Sequence, residues 1–140
     1  MTAEHTRNVI RAKEQPSVLV VEDEYFQAVD IEEALTDAGF ATDVVSSGEE
    51  AVTLFIGGTS TFRALVTDVR LGGSVSGWDL ARQIRGREPT FPVVYVTSAP
   101  AEEWASEGVP NSILISKPFD TAQLVTAVTN LLIIGAPPTA

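Results

Sequence analysis

The sequence contains no cysteine. That excludes both a disulfide framework and a thiolate metal site. It also lacks any apolar run long enough to cross a bilayer as a helix, which takes about 20 residues. The stretch from Met1 to Pro16 is polar and holds no apolar core of the kind a secretory signal needs. A cytoplasmic location without membrane insertion is the expectation. Basic residues are scarce: nine Lys and Arg stand against nineteen Asp and Glu, for a net charge of −10. Arg7, Arg11 and Lys13 fall before Pro16 beside Glu4 and Glu14, so the remainder carries about −11. Such a surface repels phosphate backbones and argues against direct nucleic-acid binding. Its plain effect is a solvated, soluble exterior. The one histidine, His5, lies in this polar start and is expected to be solvated.

What remains is enough for one domain. The chain has 140 residues, 44% of them hydrophobic. Residues 1–16 and 135–140 read as tails, the second carrying Pro137-Pro138, which cannot continue a helix. Between them, at 17–134, short apolar runs alternate with helical patterns. Val18 to Val21, Thr42 to Val45, Ala64 to Thr67, Val93 to Thr97 and Ser112 to Ile115 read as strands.

The first helix places Ala28, Ile31, Leu35 and Ala38 on one face and stops at Gly39. Ser47 with Glu50 reads as a capping box, and that helix turns Ala51, Leu54 and Phe55 inward before Gly57-Gly58. A Gly/Ser-rich loop from Leu71 to Gly77 precedes a helix over Trp78 to Arg87, with Leu80, Ala81 and Ile84 inside. Glu102 to Glu107 gives a short helix closed by Gly108. It carries Trp104, which packing explains better than a partner contact would. Asp120 caps a last helix that buries Leu124, Val125, Val128, Leu131 and Leu132. Five strands alternating with helices imply a doubly wound parallel sheet with helices on both faces. In such sheets the working residues lie just past the carboxyl ends of the strands.

Several chemically useful residues fall there. Glu22 and Asp23 follow the first strand, and Asp68 ends the third. In a sheet of order 2-1-3-4-5 these strands are neighbours, so three carboxylates converge. Uncompensated, they raise one another's pKa, which a hard divalent cation such as Mg²⁺ relieves. Thr97 ends the fourth strand with Ser98 after it, and Lys117 follows the fifth. The hydroxyls and the ammonium suit phosphoryl oxygens. Taken singly, each residue has an ordinary explanation. Acids favour helix starts, Thr is common in strands, and a loop Lys is usually solvated. The argument rests on their conjunction.

The ordered segments Val18-Leu19-Val20-Val21-Glu22-Asp23-Glu24, Leu65-Val66-Thr67-Asp68, Val93-Val94-Tyr95-Val96-Thr97-Ser98 and Lys117-Pro118-Phe119 resemble the receiver domain of two-component response regulators. The resemblance spans about Ser17 to Ile133. It implies a flavodoxin-like fold and a phosphoacceptor at Asp68. It implies Mg²⁺ held by Asp23, Asp68 and the backbone carbonyl of Arg70, with Glu22 acting through a water. Thr97, Ser98 and Lys117 would bind the phosphoryl group, and the Lys117-Pro118 peptide would be cis. The implied donor is a histidine kinase or phosphotransfer protein. The domain would catalyse only its own phosphorylation and dephosphorylation. With so little chain after Ile134, output is expected through a protein contact or onward phosphotransfer.

Two other readings use the same fold: an interaction module that takes no phosphate, and a flavodoxin-like cofactor binder. The second needs a phosphate loop where this chain has Glu22-Asp23-Glu24. The departures from the family are specific. Gly72 replaces a usual Pro, and the loop to Gly77 is one residue longer. Glu22 stands where Asp is commoner. Leu114 occupies the usual place of a fifth-strand switch aromatic, leaving Tyr95 on the fourth strand as the aromatic candidate. Tyr95 and the Leu71-Gly72-Gly73 run resemble a receiver subgroup whose aromatic lies on that strand, although Ser98 and Ala99 depart from it.

Overall fold

The computed structural model describes residues 16–57 and 61–134. The expected tails apart from Pro16, together with His5 and Gly58, lie outside the described residues. Five strands, β1 (Ser17–Val21), β2 (Ala41–Val45), β3 (Phe62–Thr67), β4 (Val93–Thr97) and β5 (Ile113–Ser116), form one sheet. The order is β2-β1-β3-β4-β5 and every pairing is parallel. The helices between and after them are α1 (Tyr25–Asp37), α2 (Gly48–Gly57), α3 (Gly77–Arg87), α4 (Ala101–Glu107) and α5 (Thr121–Ile134).

The two-residue period of a strand divides the core into two layers. Val18 and Val20 point to one face with Ile31 and Leu35 of α1 and Leu124 and Val128 of α5. Leu19, Val21, Leu65 and Tyr95 point to the other, with Ala51 of α2 and Trp78, Leu80 and Ile84 of α3. Both faces are covered, so β1 from Val18 to Val21 and β4 from Val93 to Val96 are apolar without alternation. Each fully buried Leu, Ile or Val in these layers contributes about 1.5–3 kcal/mol.

Local signals set the element ends, with some differences from expectation. Gly39 has φ +99° and closes α1. Its N–H donates to the Thr36 carbonyl and that of Phe40 to the Leu35 carbonyl, both at 3.0 Å, a Schellman ending. Phe40 packs back into the layer that holds Leu35. The helix has therefore ended by Ala38, which is exposed rather than on the inner face. The capping box expected at Ser47 is half made. Ser47 Oγ accepts the Glu50 N–H at 3.1 Å, but the Glu50 carboxylate turns to the Ser46 and Ser47 hydroxyls. A complete box stands at Ser76 and Asp79 instead and starts α3 one residue before Trp78. The Asp120 carboxylate accepts the Ala122 N–H at 3.0 Å, as a cap for α5.

Candidate functional site

The carboxyl ends of β1, β3 and β5 bring four charged side chains together. One carboxylate oxygen each from Glu22, Asp23 and Asp68 lies within 4.8 Å of the others. The Lys117 ammonium enters from β5, 2.7 Å from Glu22 Oε1 and 2.8 Å from Asp68 Oδ2. This bridge is sheltered: the side chains of Lys117, Glu22 and Asp68 are 15%, 1% and 11% exposed. Asp23 is exposed. The Lys117-Pro118 peptide bond is cis.

Backbone groups fix two of the three acids, Asp68 and Glu22. The Asp68 N–H donates to the Val21 carbonyl at 2.9 Å, extending the β1–β3 ladder into the site. Asp68 Oδ1 accepts the Val69 N–H at 2.6 Å. Glu22 Oε2 accepts the Glu24 N–H at 3.2 Å, so both Glu22 oxygens are engaged. Glu24 is the N-cap of α1, accepting from the N–H groups of Phe26 and Gln27. Burial raises the Glu22 pKa, and the Asp68 charge adds to this against the pull of Lys117. For Lys117 burial acts downward, but its bonds to Asp68 and Glu22 outweigh that and hold its pKa above the ordinary value. The set is thus short of positive charge. Three oxygen donors of a hard type crowd one ammonium, which fits a divalent cation such as Mg²⁺.

The other residues singled out from the sequence lie around this group. Thr97 is fully buried at the end of β4, its Oγ1 accepting the Ala99 N–H at 3.2 Å, while Ser98 is exposed. Tyr95 is fully buried two residues earlier, its ring 4.6 Å from that of Trp78. Its hydroxyl accepts the Val109 N–H at 3.2 Å. Burial raises its pKa, moderated by that bond and by Arg85. The Arg70 side chain points outward to Glu103 at 3.5 Å.

The β3–α3 loop is better anchored than its Gly/Ser content implies. The Gly77 N–H donates to the Val69 carbonyl at 2.8 Å, and the Val75 N–H reaches the Glu49 carboxylate at 3.1 Å. A Cβ on Gly77 would collide with the Asp68 carbonyl, and one on Gly48 would come 2.6 Å from the Val75 carbonyl. Sequence reasoning missed Glu24 as a cap, and Glu49 and Glu103 as links between elements.

Residues 18–129 match the family model described as response regulator receiver domain. A solved receiver protein from Sinorhizobium medicae WSM419 superposes with a TM-score of 0.85 at 42% identity, over 89% of this chain and 99% of that one. A response regulator structure from Chloroflexus aurantiacus J-10-fl gives 0.75 at 29% identity, over 86% and 99%. Among curated proteins, the transcriptional regulatory protein CusR of Escherichia coli K12 is 30% identical over 121 residues, 85% of this chain and 52% of CusR. A response regulator receiver protein of Anaeromyxobacter sp. Fw109-5 is 38% identical over 79% of this chain and 43% of its own length. This chain belongs to the response regulator receiver family. It spans about half the length of these curated relatives.

Proposed function

We propose that the chain is a phosphoacceptor switch of two-component signalling, with Asp68 as the acceptor. The observation that carries this reading is the bridge from Lys117 to Asp68 at 2.8 Å, inside a cluster of three carboxylates at the strand ends. The donor is a phosphohistidine on a histidine kinase or phosphotransfer protein. An Asp68 carboxylate oxygen forms the new bond to phosphorus in line as the P–N bond breaks, and the imidazole leaves with the electron pair. The product is an acyl phosphate, which water later hydrolyses. The chain therefore acts on itself and turns over no separate substrate. Asp23, Asp68 and the Arg70 carbonyl would hold Mg²⁺ directly. Glu22 would act through a water. The ion supplies positive charge against the phosphoryl oxygens.

Lys117 holds one phosphoryl oxygen, and the Thr97 hydroxyl, with Ser98 beside it, takes another. A donor nearing Asp68 meets Tyr25 and Phe26 at the start of α1, 72% and 74% exposed. Beside them lies a groove of about 200 Å³ between Gln27 and Asp30 on α1 and the Lys117–Thr121 segment. Output is by protein contact or onward phosphotransfer, with no direct nucleic-acid contact from this acidic domain. A location in the cytoplasm follows from the donor. The test is intact mass after incubation with Mg²⁺ and a small phosphodonor. One phosphate adduct is expected in the wild type and none in Asp68→Asn. An adduct that persists in that variant overturns the assignment, and no adduct in the wild type favours an interaction module that takes no phosphate.

A further inference from the structure

α4 is the helix held least by the core. It buries no side chain completely, and Ala101, Glu102, Ala105 and Ser106 are exposed. Polar contacts fasten it instead. One Glu103 carboxylate oxygen accepts the Trp78 indole N–H at 2.9 Å, and the other faces the Arg70 guanidinium at 3.5 Å. Arg82 donates to the Glu107 carbonyl at 3.0 Å, and the Trp104 indole donates to the Ser112 hydroxyl at 3.0 Å.

These fastenings lead to different places. Arg82 lies on α3 and Ser112 lies just before β5. Glu103 alone among them reaches the loop after β3, at Arg70, two residues past Asp68. Through Trp78 it also meets Tyr95, whose hydroxyl is tied to the Val109 N–H just beyond α4. Contacts therefore run from beside Asp68 to both ends of α4: Arg70, Glu103, Trp78, Tyr95, Val109. On β5, Leu114 offers no polar tip to trade between core and water.

We propose that Glu103 is a positioning residue that couples the charge on Asp68 to the placement of α4, through its shared hold on Arg70 and the Trp78 indole. This rests on the reading of Asp68 as phosphoacceptor. The Arg70 side chain is 66% exposed, and ion pairs so exposed are weak. Phosphorylation of Asp68, two positions before Arg70, adds about −1.5 to −2 charge. Guanidinium groups pair strongly with phosphoryl oxygens, so Arg70 now has a second anion competing for it. Glu103 loses its hold on Arg70 and keeps the shorter, half-buried indole bond. The differential affinity that drives the shift is thus electrostatic and local.

The experiment is ¹H–¹⁵N NMR of the full chain with Mg²⁺ and beryllium fluoride as the phosphate mimic. In the wild type the mimic should move the Val69 amide, the Trp78 indole signal and the α4 amides together. In Glu103→Gln the Val69 amide should still move. The Trp78 and α4 displacements should fall by about twofold or more, because their source of differential affinity is gone. Arg70→Lys, which keeps the charge, should retain more of the response than Arg70→Ala. Displacements in Glu103→Gln equal to those of the wild type, with Val69 moving, overturn this proposal alone. A mimic that moves nothing at Val69 in the wild type overturns the phosphoacceptor reading, and this proposal with it.

Discussion

Two ion pairs share the carboxyl edge of the sheet and differ in almost every physical respect. The Lys117 bridge to Glu22 and Asp68 is short, at 2.7 and 2.8 Å, and mostly shielded from water. The Arg70–Glu103 pair is 3.5 Å long, with side chains 66% and 35% exposed. Both join a cation to carboxylates from distant elements. Burial alone makes the first a fixed component of the site and leaves the second easy to break. A switch of the kind proposed needs both: one pair to hold the proposed acceptor, another that yields to a change in charge.

The largest expected effect comes from removing the shielded cation. Lys117→Ala leaves Glu22 and Asp68 facing each other without a counter-charge. In chelator the variant should lose about 3 kcal/mol, within the range for stripping a buried pair of one partner. Thermal melts should show a midpoint lower by about 10 °C, recovering in part with millimolar Mg²⁺. A wild-type midpoint in chelator would erase the contrast between the two pairs. The same bridge sets an alkaline limit. Lys117 has a folded pKa raised above 10.5, so its contribution is complete below that value and is lost as pH rises through the folded pKa.

Glu22→Gln should act in the opposite direction. A carboxyl whose folded pKa is raised favours the folded state when protonated. That contribution is complete below 4.5 and disappears as pH climbs through the raised value. The charged form of Glu22 is thus a burden on the metal-free protein. The neutral amide should raise stability by about 1 kcal/mol at pH 7, as relief of a strained functional site often does. The gain should shrink as pH falls toward 4.5, while Mg²⁺ affinity falls in calorimetric titration. A lower midpoint at pH 7 would mean that the bond to Lys117 outweighs the burial.

The smallest effect belongs to the exposed pair. Arg70→Ala should change stability by less than about 0.5 kcal/mol in denaturant melts. A loss comparable to that of Lys117→Ala would show that exposure is a poor guide to which pair is fixed.

The sequence made the sheet legible for a definite reason. Runs such as Val18 to Val21 and Val93 to Val96 are apolar on both faces, which only a strand covered twice requires. The site was legible because the sheet geometry delivers the residues that end β1, β3 and β5 to one edge. What escaped depends on reach rather than pattern. Glu49 bonds to Val75 across 26 positions and Glu103 to Arg70 across 33, and nothing local distinguishes either from a solvated helix acid. Ala38 shows a smaller failure of the same kind. Periodicity carries the apolar stripe one step further, but the backbone at Gly39 has already turned.

The anchoring of the long β3–α3 loop has a consequence for engineering. Its ends are pinned by the Gly77–Val69 bond and by the Glu49 hold on Val75, while Gly72, Gly73 and Ser74 lie exposed between them. Changes of length in that span are mechanically isolated from the Asp68 backbone, since the chain re-enters its fixed path before reaching Gly77. Gly73 has little room beside Glu49, but Ser74 offers a point at which a small spectroscopic reporter can be carried within a few residues of the Asp68 carboxylate without resetting it.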